Sequence, residues 1–123
     1  MSYVLLVEDS QSNADMIIRL LQSINLRVEH TTHGLNAPKI ALKERPDLVL
    51  LDFNLPDIDG RTLILSLRKQ LGGLDAPPIV ALTARAGESE KQIAQRFGFS
   101  AFIAKPFAPA EFLNMVQKLL HIQ

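Results

Sequence analysis

The sequence predicts a doubly wound α/β domain, in which helices cover both faces of a five-stranded parallel sheet. Short apolar runs recur along the chain, and helix-length segments separate them. Three of the five runs are apolar throughout, as expected for parallel strands covered on both faces, whereas Leu26 to His30 alternates and favours an edge strand. Five β-α units in series form a mostly parallel sheet with right-handed crossovers. The predicted strands are Tyr3 to Val7, Leu26 to His30, Leu48 to Leu51, Ile79 to Leu82 and Ala101 to Ala104.

Helices are predicted between the strands because apolar residues recur there at helical spacing. Pro38 is tolerated only in a first turn, so the second helix should start near Asn36 and end before Pro46. Gly72 and Gly73 follow the apolar stripe of the predicted third helix, where glycine can serve as a C-cap. The stripes around Ile40 to Leu42 and around Ile93 to Phe97 are weaker than the other three. The three clear stripes are Ala14, Ile17, Ile18, Leu21 and Ile24; Leu63, Ile64, Leu67 and Leu71; and Phe112, Leu113, Val116, Leu119 and Leu120.

Length and composition narrow the classes of protein to which the chain can belong. Its 123 residues suit one domain over 1–123, and an apolar fraction of 47% is enough for a packed core. Thirteen basic and thirteen acidic residues balance without a charged block, which argues against nucleic acid or an anionic membrane as the main partner. The absence of cysteine excludes disulfides and thiolate metal sites. A chain without cysteine suits the cytosol, so we expect a cytoplasmic protein. The longest apolar run, Tyr3 to Val7, is too short to span a bilayer and no segment like a signal peptide precedes it, so we expect the mature chain to start near Met1.

Charged and hydroxyl side chains follow four of the predicted strands. Glu8 and Asp9 come after the first strand, Asp52 after the third, Thr83 after the fourth and Lys105 after the fifth. In a doubly wound sheet these positions meet in a crevice beyond the carboxyl ends of the strands. Three converging carboxylates repel one another unless a cation binds, and oxygen ligands without cysteine or paired histidine favour Mg²⁺. A lysine and a hydroxyl beside them suit a bound anion, so the set predicts a phosphoryl site.

Several of these residues also have a purely structural interpretation. Glu8 and Asp9 precede a helix, where the helix dipole favours acidic residues and Asp9 or Ser10 could form the cap. The segment that begins at Asp57 is predicted to be a loop leading into the third helix, and we place neither Asp57 nor Asp59 in the site. The three histidines lack metal-ligand spacing and are interpreted as surface or structural residues; they are His30, His33 and His121.

Four motifs in order make the chain similar to a known family. They are VLLVEDS at residues 4 to 10, PDLVLLDFNLPDIDG at 46 to 60, PIVALTA at 78 to 84 and AFIAKPF at 101 to 107. With these motifs the sequence resembles the receiver domain of two-component response regulators over essentially the whole chain. The resemblance implies a flavodoxin-like fold with strand order 2-1-3-4-5.

The resemblance also implies a role for each residue of the predicted phosphoryl site. Asp52 corresponds to the aspartate that accepts a phosphoryl group from a histidine kinase or a histidine phosphotransfer domain. Glu8 and Asp9 correspond to the acidic pair that binds Mg²⁺ together with Asp52. The backbone carbonyl of Asn54 corresponds to a further metal ligand, and Lys105 corresponds to the lysine that pairs with the phosphate.

Other positions are implied to control how the signal is read and how long it lasts. Thr83 corresponds to the switch hydroxyl and Phe102 to the aromatic switch residue, and the peptide bond before Pro106 is implied to be cis. Asn54 and Arg85 correspond to the two positions that flank the path of the hydrolytic water and tune the lifetime of the phosphoryl group. A downstream protein, which the sequence does not identify, is implied to bind the face formed by the fourth helix, the fifth strand and the fifth helix.

We therefore expect a stand-alone receiver, which is a signalling phosphoacceptor rather than an enzyme, although it assists its own phosphorylation and dephosphorylation. The sequence leaves open whether the domain forms a homodimer. One alternative is a receiver-like module that works without phosphorylation, but such modules lack an acid or the lysine. A phosphatase with an aspartate nucleophile carries a second acid two residues on, where this chain has Asn54. A flavin carrier needs a hydroxyl- and glycine-rich loop in place of the acidic segment VEDSQSN.

Overall fold

The computed structural model describes residues 3–53, 55–84 and 87–122. Within this part of the chain the strands are β1 Tyr3–Val7, β2 Arg27–Thr31, β3 Leu48–Asp52, β4 Ile79–Thr83 and β5 Ala101–Ala104. They form one sheet in the order β2-β1-β3-β4-β5, and every neighbouring pair is parallel. The predicted doubly wound fold and its strand order are thereby confirmed.

Helices connect the strands and cover both faces of the sheet. They are α1 Gln11–Gln22, α2 Ala37–Lys43, α3 Gly60–Gln70, α4 Glu88–Arg96 and α5 Pro109–Leu120. Side chains from α1 and α5 pack on one face, and side chains from α2, α3 and α4 pack on the other. None of the helices in the described ranges is long and apolar enough to cross a membrane.

Local sequence signals account for the ends of these helices. The Ser10 side chain accepts a hydrogen bond from the Asn13 amide and caps α1, and the Asp59 side chain caps α3 by accepting from the Arg61 amide. The predicted cap before α2 is at the expected place, because α2 begins directly after Asn36. The Asn36 side chain makes no capping hydrogen bond, however, since a short 3₁₀ turn over Gly34–Asn36 leads into the helix.

The core consists of two layers, one on each face of the sheet. Alternate residues of β1 point to opposite layers, so Tyr3, Leu5 and Val7 join one cluster while Val4 and Leu6 join the other. All five residues of β1, β3 and β4 are buried, which explains why their sequences are apolar almost throughout. The edge strands β2 and β5 are mostly half-buried. The centre of the sheet is therefore the most tightly enclosed part of the domain.

The observed β2 is shifted by one residue from the predicted run Leu26 to His30. It begins at Arg27 because Asn25 adopts a left-handed conformation with a φ of 65°, and the Leu26 amide donates to the Leu21 carbonyl. Leu26 thus completes the turn after α1 instead of entering the sheet. β2 then continues to Thr31, and its position at the edge of the sheet is as predicted.

The loop after β3 is attached to the segment that leads into α2. Both carboxylate oxygens of Asp57 accept backbone hydrogen bonds, one from Gly34 and one from Leu35, each 2.9 Å long. These two amides favour the ionised carboxylate, so the pKa of Asp57 lies below its usual value, with the Leu35 amide as the largest cause. A Cβ at Gly34 would lie 2.4 Å from Ile58 Cγ2, so the two segments also pack closely.

Gly34→Ala is expected to destabilise the domain by about 1–3 kcal/mol, the usual cost of an added group in a filled space. The Cβ would press on side chains from both the loop and α3, so the contact between the loop and the turn before α2 would have to open. Urea unfolding would measure the change. Ser66→Ala on the exposed side of α3 is the matched control and should stay within about 0.5 kcal/mol of the wild type. A Gly34→Ala protein as stable as that control would show that the contact can relax freely.

Candidate functional site

Three carboxylates converge at the carboxyl ends of β1 and β3. Glu8 and Asp9 directly follow β1, and Asp52 is the last residue of the neighbouring β3. One oxygen from each carboxylate lies within 4.8 Å of the other two. The sequence prediction placed Asp52 after its strand, but Asp52 belongs to the strand and is aligned with Leu82 of β4. The sheet therefore fixes the backbone of Asp52 directly.

Lys105 joins two of these acids. Its Nζ lies 2.7 Å from Glu8 Oε2 and 3.1 Å from Asp52 Oδ2, and it donates a hydrogen bond to each. Glu8 is fully buried and Asp52 is 5% exposed, whereas Asp9 is exposed. Burial acts to lower the pKa of the Lys105 ammonium, but the hydrogen bond to Glu8 and the charge of Asp52 outweigh it and leave the pKa above its usual value. The lysine is therefore a permanent positive charge in the crevice at neutral pH.

The donor set fits a hard divalent cation. Three carboxylates face one ammonium, so two negative charges stay unbalanced when all the acids are ionised. Asp9 brings the third carboxylate from the solvent side, where a partly hydrated ion could enter. Oxygen ligands of this kind suit Mg²⁺, which keeps several waters and binds through one or two carboxylates. The residues present therefore fit Mg²⁺.

Thr83 lies beside this cluster as the last residue of β4, and it is 1% exposed. Its carbonyl accepts a hydrogen bond of 2.7 Å from the Lys105 amide, which joins the ends of β4 and β5. Thr83 also lines a cavity of about 220 Å³ together with residues from the loop after β3, from α3 and from α4. Phe102 on β5 is half-buried and packs against the core layer that contains α3 and α4. The lining residues besides Thr83 are Phe53, Asp59, Arg61, Ser89, Glu90 and Ile93.

Other predicted residues have the following positions. The peptide bond between Lys105 and Pro106 is cis, as the resemblance implied. Asp57 binds the backbone before α2, and Asp59 caps α3 and pairs with Arg61, so neither carboxylate belongs to the acidic cluster. Asn54 and Arg85, the two residues predicted to tune the lifetime, lie outside the described residues.

Sequence reasoning missed one residue beside the acidic cluster. His30 Nε2 lies 2.8 Å from the backbone carbonyl oxygen of Glu8, although the sequence gave no reason to separate His30 from the other two histidines. The feature that could have identified His30 is its position on β2, which neighbours β1 and ends at the same edge of the sheet. A half-buried histidine near the carboxyl end of such a strand can reach the segment that follows the adjacent strand.

Comparison with known proteins identifies the family. The sequence profile of the response regulator receiver domain matches residues 4–117. The chain belongs to this family. It is a receiver domain of two-component systems, a class of signalling phosphoacceptor domains, and the resemblance drawn from the four motifs is confirmed.

Individual relatives agree with this assignment over nearly the whole receiver domain. The transcriptional regulatory protein CreB of Escherichia coli K12 is 38% identical over 117 residues, which are 95% of this chain and 50% of CreB. The chain thus spans about half the length of that relative. The chemotaxis protein CheY4 of Vibrio cholerae is 32% identical, with a TM-score of 0.89 over 98% of this chain and 99% of CheY4.

A third similar structure contains a metal ion. The receiver domain of the sensor histidine kinase PA1611 from Pseudomonas aeruginosa PAO1 is 33% identical, with a TM-score of 0.87 over 98% of each chain. That structure has a magnesium ion coordinated in its active-site cleft. Receiver domains bind Mg²⁺ at an acidic pocket, and in this receiver Glu8, Asp9 and Asp52 form an acidic cluster at the carboxyl edge of the sheet.

Asp9→Asn is expected to weaken Mg²⁺ binding by at least about tenfold, since even substitutions of groups that only hydrogen-bond to a metal ligand commonly lower metal affinity by that factor. The metal-free variant should be as stable as the wild type or more stable by up to about 1 kcal/mol, because an exposed carboxylate leaves the repulsive cluster. Calorimetric titration with MgCl₂ and urea unfolding in EDTA would measure the two effects. Asp15→Asn, which removes an exposed carboxylate on α1, is the matched control. Unchanged Mg²⁺ affinity in Asp9→Asn would remove Asp9 from the metal site.

Proposed function

We propose that Asp52 accepts a phosphoryl group from the phosphohistidine of a kinase or a phosphotransfer protein in a Mg²⁺-dependent reaction. The observation that carries this proposal is the Lys105 ammonium bound to both Glu8 and Asp52 at the carboxyl edge of the sheet. Apolar side chains at all three positions could give a core at least as stable, because buried ion pairs add little net stability over apolar packing. The three charged side chains together therefore favour a chemical role, and they suit a reaction in which negative charge arrives on Asp52.

The proposed step is a transfer between two nucleophiles. A carboxylate oxygen of Asp52 attacks phosphorus, the bond from phosphorus to the imidazole nitrogen of the donor breaks, and the nitrogen retains the electron pair. The product on this chain is an acyl phosphate. Phosphoryl transfer depends on positioning and on charge neutralisation, and Lys105 supplies a fixed positive charge next to the attacking group.

The acidic cluster would hold the metal through Glu8, Asp9 and Asp52, with the backbone carbonyl of Asn54 as a further ligand. When bound, Mg²⁺ supplies positive charge that offsets the charge of the phosphoryl oxygens. Glu8 has a second task in this arrangement, because its carboxylate orients the Lys105 ammonium through the shorter of the two hydrogen bonds. We propose that Asn54 and Arg85 set the rate at which the acyl phosphate is hydrolysed.

The conformational response is proposed to pass from Thr83 and Phe102 to the surface formed by α4, β5 and α5, where a downstream protein would bind. The packing of these elements supports the choice. Ala94 is the only residue of α4 that is buried, and all four residues of β5 are half-buried. Segments with few buried apolar contacts change conformation at the lowest cost in free energy. The central strands β1, β3 and β4 are fully buried and should move least.

Incubation with acetyl phosphate and Mg²⁺ is expected to add one phosphoryl group to the wild type and none to Asp52→Asn, which keeps the shape but lacks the nucleophile. Intact mass spectrometry would measure the product, and EDTA should prevent its formation. Asp75→Asn, an exposed change away from the crevice, is the matched control and should be modified like the wild type. Equal modification of Asp52→Asn would overturn the assignment of the acceptor.

Beryllium trifluoride, which mimics a bound phosphoryl group, is expected to change amide hydrogen exchange most between Ala84 and Phe107. This segment contains α4 and β5, the elements with the least buried side chains. Mass spectrometry of peptides with and without the mimic would locate the changes, and Asp52→Asn treated in the same way provides the baseline. Changes confined to α1 and α2 would contradict the proposed output surface.

A further inference from the structure

The peptide groups on both sides of Glu8 are held by the edge strand β2. The Glu8 amide donates a hydrogen bond of 3.1 Å to the Thr31 carbonyl, and this bond extends the pairing between β1 and β2. The Glu8 carbonyl oxygen accepts the hydrogen bond from His30 Nε2, at 2.8 Å. The first contact is ordinary backbone pairing, whereas the second comes from a side chain that the proposed phosphoryl transfer does not use.

The chemistry of this contact is independent of the charge on the imidazole. A carbonyl oxygen can only accept, so Nε2 must carry the hydrogen. Both the neutral Nε2–H tautomer and the imidazolium meet that condition. The contact therefore persists whether or not His30 is protonated, and its effect is one of position.

The carbonyl bound by His30 belongs to the peptide unit that joins Glu8 to Asp9. Because this unit is planar, holding its oxygen also holds the Asp9 nitrogen and limits where the Asp9 side chain can point. The Glu8 side chain has two other contacts, since its carboxylate accepts from Lys105 Nζ and from the Ser10 amide. The Asp9 side chain forms no hydrogen bond or ion pair within the described ranges. The backbone therefore determines where its Cβ lies and which region its carboxylate can reach.

We infer that His30 is a positioning residue for the metal site: its bond to the Glu8 carbonyl fixes the Glu8–Asp9 peptide so that the Asp9 carboxylate faces Asp52. The inference deepens the proposed function and rests on it. Groups that hydrogen-bond to a metal ligand without touching the metal often matter nearly as much for metal affinity as the ligands themselves. Asp9, with an exposed and otherwise unattached carboxylate, is the ligand of this cluster that most needs such support.

The test compares two substitutions at the same position. His30→Leu removes the donor but keeps an apolar side chain of similar size, and it should weaken Mg²⁺ binding by about tenfold. His30→Gln restores an N–H at the end of the side chain and should return most of the affinity. His121→Asn, in the exposed left-handed residue after α5, is the matched control and should bind Mg²⁺ like the wild type. Calorimetric titration with MgCl₂ provides the affinities.

A second measurement uses no metal. In EDTA, the amides of Asp9 and Ser10 should exchange hydrogen faster in His30→Leu than in the wild type and in His30→Gln, while urea unfolding shows how far overall stability changes. If His30→Leu does not fold, His30→Thr replaces it, because threonine suits an edge strand and is too short to reach the carbonyl.

The outcomes separate the two proposals. A purely structural role for His30 predicts lower stability with unchanged Mg²⁺ affinity and no rescue by glutamine, and this result would overturn the inference while leaving the proposed function intact. Wild-type protein that bound no Mg²⁺ would contradict the proposed function. The exchange rates of Asp9 and Ser10 would still decide whether His30 holds the peptide, and unchanged rates would refute it.

Discussion

The site depends on the burial of two carboxylates beside one ammonium. An ionised carboxylate with no exposed surface, such as Glu8, is costly unless a cation and hydrogen bonds compensate it. Lys105 provides that compensation to Glu8 and Asp52 together, from 97 and 53 residues along the chain. The contact requires β1 and β3 to be neighbours and requires the end of β5 to reach across β4. The strand order of the fold is therefore the condition under which these acids can be buried at all.

The central strands of the sheet are fully buried and the edge strands are mostly half-buried. This difference in burial matches the positions of the residues in the proposed site. β1, β3 and β4 are buried on both faces; Glu8 and Asp9 directly follow β1, while β3 and β4 end in Asp52 and Thr83. The half-buried strand β5 carries the aromatic residue Phe102 and leads directly into Lys105. Reacting groups must be held in fixed positions, whereas the segments that change conformation after the reaction must move at low cost in free energy. Both demands are met by one sheet because its edge strands are covered less completely than its central ones.

The fold and the acidic cluster were predictable because they depend on patterns that repeat along the sequence. Apolar runs define the strands, and in a parallel sheet the residues after the strands must meet at one edge, so Glu8, Asp9 and Lys105 could be grouped before the structure was known. The contacts of His30 with Glu8, and of Asp57 with the turn before α2, follow no such pattern. Each joins a side chain to a backbone group 22 or 23 residues away, and its existence depends on loop paths that periodicity does not describe. The one-residue shift of β2 has the same origin, since it arises from the left-handed turn at Asn25.

The ion pair that permits burial of the acids also suits the proposed transfer of a phosphoryl group. In the structure the Lys105 ammonium is shared between Glu8, at 2.7 Å, and Asp52, at 3.1 Å. A phosphoryl group on Asp52 would convert that carboxylate into an acyl phosphate, a mixed anhydride, and would place the negative charge on phosphoryl oxygens farther from β3. The ammonium would then be drawn toward the new oxygens while Glu8 retained the shorter contact. Because Lys105 directly follows β5, such a displacement would act on the strand that carries Phe102. The lysine that stabilises the unmodified site would then support the response that we propose for Thr83 and Phe102.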